Sequence, residues 1–68
     1  MGYRVKEIRE ERNMTQEELE RRSGVSRQTI SAIENERVKA DDVKVGTLMA
    51  IANALETTID RLFFERAV

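Results

Sequence analysis

The stretch Thr15-Gln-Glu-Glu-Leu19-Glu-Arg-Arg-Ser-Gly24-Val-Ser-Arg-Gln-Thr-Ile30-Ser-Ala-Ile33-Glu-Asn35 decides the fold, because it writes two short helices around a tight glycine turn. Each helix carries its own start signal. Thr15 is followed three residues later by Glu18, a capping box in which each side chain takes an otherwise orphaned backbone N–H. Met14 and Leu19 flank the box at the spacing of a hydrophobic staple. In the second half Ser26 is the candidate N-cap, and Val25 and Ile30 repeat the staple spacing around it. Gly24 is the residue that most easily takes positive φ, which a helix end followed by a sharp turn requires.

The second of these helices has an unusual outer face. Ile30 and Ile33 lie at i, i+3 spacing and face inward, leaving Arg27, Gln28, Ser31, Ala32 and Asn35 toward solvent. That face has no carboxylate before Glu34, and its first turn offers Ser26, Arg27 and Gln28. Such side chains suit base edges: arginine bonds guanine O6 and N7 in bidentate fashion, glutamine does the same with adenine, and alanine fits against a thymine methyl. A helix built only for solubility more often carries Glu and Lys. The competing reading is a plain helical hairpin, since caps, a glycine and a few leucines occur in any.

The chain resembles the Cro/C1-type helix-turn-helix family of phage repressors and small bacterial regulators. The residues that carry the likeness are Ile8-Arg9, Met14 to Leu19, Gly24 to Ser31, Ile33-Glu34-Asn35 and Leu48 to Leu55. It extends from Val5 to Phe63. The resemblance implies an all-α, compact five-helix bundle of the lambda-repressor-like type, with helices 2 and 3 forming the helix-turn-helix. It also implies roles for single residues. Gln16 and Asn35 take the places of phosphate contacts, Arg27 and Gln28 those of a base-reading pair, and Ser26 and Ala32 supporting positions. Ser31 completes the reading face. Arg9 and Glu34 occupy the places of a partly buried ion pair tying the first helix to the recognition helix.

Three positions depart from the family pattern. Glu20 stands where alanine is usual because the two helices approach closely, so its carboxylate must reach solvent or find a cation, with Arg21 and Arg27 nearest in sequence. A Glu20–Arg27 contact would compete with base reading. Ser23 replaces an apolar residue, which thins the packing under the turn. Glu36 follows Asn35 where glycine is usual, so that helix end needs left-handed geometry from a less willing residue.

Length and composition set wider limits. The 68 residues are expected to form one helix-turn-helix domain, small enough that association of chains would help its stability. There is no cysteine, hence no disulfide framework or thiolate metal site, and a cytoplasmic location is the default. No apolar run approaches a membrane helix, and the first residues lack the apolar region of a signal peptide. Histidine and cysteine are absent and no glycine-rich phosphate loop appears, so an enzyme is not expected, nor a cofactor, nor a small-molecule ligand.

The net charge of −1 argues against a nucleic-acid binder, which is usually basic. Distribution matters more than the total. From Arg21 to Lys44 six cations face four carboxylates, whereas Glu7, Glu10, Glu11, Glu17, Glu18 and Glu20 load the first helix and the start of the second. Weak sequence-independent affinity is therefore expected, with specificity carried by geometry.

Outside the motif, the first helix is expected from about Tyr3 to Arg12 with Val5 and Ile8 inward. Glu36 to Lys44 reads as a polar loop whose Arg37 and Lys39 either follow the DNA backbone or are ordinary surface residues. Val45, Leu48, Ile51, Ala52 and Leu55 form an apolar stripe on a fourth helix, with Asp42 a possible cap. Thr57 or Thr58 then caps a short fifth helix.

In that last helix Phe63 and Phe64 point roughly 100° apart, so both do not easily fill one small core. One either folds over the core end or is shared in a homodimer, the pairing that the resemblance also suggests. The expected function is a sequence-specific transcriptional regulator of double-stranded DNA, a repressor on a near-palindromic operator; the word repressor rests on the resemblance alone. A helical protein-interaction module and the antitoxin of a toxin-antitoxin pair are the alternatives.

Overall fold

The computed structural model describes residues 3–64. Five helices follow in order: α1 (Val5–Glu11), α2 (Gln16–Ser23), α3 (Arg27–Glu34), α4 (Val45–Ala54) and α5 (Asp60–Phe64), the last a single π-helical turn. α2 packs against both α3 and α4, while α1 packs against α3 and α5. The all-α, five-helix arrangement with the motif in α2 and α3 is the one the sequence implies.

The core is built from the apolar positions that helical spacing singled out. Leu19, Ile30, Ile33, Ile51, Leu55, Leu62 and Val5 are its largest fully buried side chains. Both staple pairs, Met14 with Leu19 and Val25 with Ile30, lie within this cluster. Val45, however, is 64% exposed, so the fourth helix begins outside the core.

Boundaries differ from expectation in physical detail. α1 starts at Val5, because Tyr3 is drawn out of the helix: its Oη accepts the Ala40 N–H at 2.7 Å and donates to the Val38 carbonyl at 3.3 Å. The Tyr3 ring also meets Phe63 edge-on, with centroids 5.2 Å apart. The Arg4 N–H then donates to the Leu62 carbonyl at 2.8 Å, joining the first residues to α5. The segment expected as a polar loop contains a 3-10 turn at Ala40–Asp42. That turn takes Asp42 out of reach of α4, whose N-cap is Lys44 and has no side-chain cap. At α5 it is Thr58 that serves, its Oγ1 accepting the Arg61 N–H at 3.2 Å.

Two of the helix ends are closed by glutamates. Glu36 has φ 57° and Glu56 φ 56°, both left-handed. After α3 the Glu36 N–H reaches Ile33 O and the Arg37 N–H reaches Ala32 O; after α4 the Glu56 and Thr57 N–H groups reach Asn53 O and Ala52 O. Both are Schellman closures, which satisfy two otherwise orphaned carbonyls and so hold a non-glycine residue at positive φ. Gly24 closes α2 at φ 75°.

Candidate nucleic-acid interface

α3 is held at its N-terminus from two sides. Ser26 Oγ accepts the Thr29 N–H at 3.2 Å and donates to Thr29 Oγ1 at 2.9 Å. Across the turn, Glu20 Oε2 accepts the backbone N–H of Arg27 at 2.8 Å. The half-exposed carboxylate therefore takes a backbone N–H and not the Arg27 guanidinium. It caps α3, where its charge also suits the positive end of the helix dipole. Ser23 hydrogen-bonds across the turn: Oγ donates to the Leu19 carbonyl at 2.6 Å and accepts the Val25 N–H at 3.1 Å.

Behind the exposed face lies an ion pair. Arg9 Nε donates to Glu34 Oε2 at 2.7 Å and Nη2 to Glu34 Oε1 at 3.2 Å, and the side chains are only 10% and 3% exposed. Arg9 Nη1 adds a 2.7 Å bond to the Met14 carbonyl, so one guanidinium joins α1, the α1–α2 turn and α3. Hydrogen bonding to Glu34 holds the Arg9 pKa above its ordinary value, against the opposing effect of burial. Gln16 extends the network outward. Its Nε2 donates to Glu34 Oε1 at 3.0 Å, and its Oε1 accepts a long 3.5 Å contact from Arg27 Nε.

The result is an open notch of about 630 Å³ lined by Gln16, Arg27, Gln28, Ser31, Ala32 and Arg37. No carboxylate lines it. Arg27, Gln28 and Asn35 are exposed, and Ser31 and Ala32 half-buried. Ser26 stands beside the notch with its hydroxyl occupied by capping. Lys39 is exposed on the loop between the two residues that Tyr3 fixes. Phe63 is buried against Tyr3, whereas Phe64 is 56% exposed.

A helix-turn-helix family model, HTH_3, matches residues 5–62. The chain belongs to the Cro/C1-type helix-turn-helix family. It is accordingly a DNA-binding protein of the transcription-regulator kind. A search among curated proteins gave no match. Among the described residues no helix is long and apolar enough to cross a membrane.

Three contacts made by residues around α3 and its following loop are not ones that the sequence specifies. Glu20 acts on a backbone group seven residues ahead, Tyr3 on one 37 residues ahead, and Arg37 folds back onto α3, where its Nη2 donates to Ser31 Oγ at 3.2 Å. None of these follows a local motif. The loop glutamate at positive φ was the one available hint for Arg37, because a Schellman closure reverses the chain.

Proposed function

We propose that the chain is a sequence-specific regulator that represses transcription by binding a near-palindromic operator as a homodimer. The observation that carries this reading is the carboxylate-free notch on α3, where two arginines, two amides, a serine and an alanine converge in a protein of net charge −1. Arg27 and Gln28 read base edges in the major groove, with Ser26, Ser31 and Ala32 beside them. Gln16, Asn35 and Lys39 contact phosphates and set the register. The Arg9–Glu34 pair keeps α1 and α3 in fixed relation while this happens. Residues 1–68 act as one DNA-binding unit in the cytoplasm.

Homodimerisation is supported by Phe64, a large aromatic left 56% exposed next to a buried partner. Twofold pairing would set two recognition helices about 34 Å apart, one turn of DNA. Selection of bound duplexes from a random library tests both parts together. A palindrome with half-sites one turn apart is expected, along with dimer mass in sedimentation. Phe64→Glu should shift the mass toward monomer and weaken operator binding. Absence of any enriched sequence would overturn the reading, and an unpaired half-site with unchanged sedimentation for Phe64→Glu would remove the dimer.

A further inference from the structure

We propose that Arg37 is a base-reading residue, and that Ser31 is the residue that positions it. This rests on the notch being the DNA-reading face. In sequence Arg37 belongs to the polar loop and pairs naturally with Lys39 as a phosphate contact. Its geometry is different. Left-handed Glu36 reverses the chain, and the Arg37 N–H closes α3 by donating to the Ala32 carbonyl at 2.8 Å. The side chain is thereby returned over the helix it has just left, and its Nη2 donates to Ser31 Oγ at 3.2 Å. Lys39, two residues on, does not line the notch.

Ser31 is committed to this arrangement. Its oxygen also accepts Asn35 Nδ2 at 3.2 Å, so both of its acceptor sites are filled by protein donors. Ser31 thus acts on DNA mainly through the guanidinium that it holds. With one N–H engaged on Ser31, Arg37 keeps four others in a planar fork, enough for a bidentate pair to guanine O6 and N7. Holding the fork in place before binding lowers the ordering cost of using it, which favours a directional base contact over a mobile charge near a phosphate.

Arg27 sits four residues before Ser31, about 6 Å along the helix axis. The two arginines therefore address different base pairs of one half-site. The operator half-site should contain a guanine assigned to Arg37, separate from the bases assigned to Arg27 and Gln28.

The test compares selected sequences and salt-dependent affinities for the unmodified chain, Arg37→Ala, Arg37→Lys and Ser31→Ala. Arg37→Ala should lose preference for guanine at one position, with roughly five- to 150-fold weaker discrimination there, and Arg37→Lys should weaken it less. Arg37→Lys should retain the salt slope, since it keeps the charge. Ser31→Ala should relax the same position in part and leave the others sharp, which a general loosening of the helix would not do. A uniform loss of affinity for Arg37→Ala, with an unchanged sequence preference and a salt slope lower by about one, would make Arg37 a phosphate contact and overturn the proposal while the DNA-reading face stands. If the unmodified chain selects no sequence, both this inference and the regulator reading fall.

Discussion

The helices begin in two different ways. α2 and α3 start on side-chain oxygens: Thr15 and Glu18 form a reciprocal capping box, and Ser26 caps α3 with Glu20 assisting from across the turn. α1 and α4 start at Arg4 and Lys44 with no side-chain cap. Burial is distributed in the opposite sense. α4 buries Leu48, Ile51 and Ala52, whereas α2 buries only Leu19 and α3 only Ile30 and Ile33. α2 and α3, with polar outer faces, have few apolar residues with which to fix themselves. Their ends are instead set by local hydrogen bonds, and the scaffold helices are set by packing.

The sharpest way to break this contrast is to attack each kind of helix by its supposed support. Ile51→Ala, in the middle of α4 and fully buried, should cost about 2–5 kcal/mol in urea unfolding. A loss below about 1 kcal/mol would mean that packing does not hold α4. Thr15→Ala and Ser26→Ala remove exposed side chains that a burial argument would ignore, yet each should cost about 1 kcal/mol. If both left the denaturation midpoint unchanged, the caps would be redundant. The smallest effect comes from giving a scaffold helix the support it lacks. Lys44 has φ −59° and ψ 139°, close to the −62° and 147° of Ser26, so the backbone is already shaped for a cap. Lys44→Ser should therefore stabilise the fold by a few tenths to about 1 kcal/mol. No gain would indicate that α4 needs nothing at its start.

The same division explains what could be read from the sequence. The capping box, the Ser26 cap, the Gly24 turn and the apolar spacing of α3 are local, involving residues within five positions of one another, and each has its place in the structure. The Arg9–Glu34 contact came into view only through resemblance to a family, because 25 residues separate the partners. Tyr3 reads as the start of α1, since nothing near it in sequence indicates that its hydroxyl meets Val38 and Ala40. Asp42 has the chemistry of a cap but stands two residues too early for α4. For Glu20 the sequence posed a choice between solvent and a cation; the partner found is a peptide N–H, a group that every residue but proline supplies.

That last point bears on how the protein can change its target. Glu20 grips the main chain at position 27 and asks nothing of the side chain there. With Arg27 reading bases as proposed, substitutions there would alter which bases are read while the anchorage of α3 persists. Proline alone would forfeit the bond. A lineage or a designer retargeting this domain is free to exchange the letters at that position, provided the carboxylate seven residues earlier is kept.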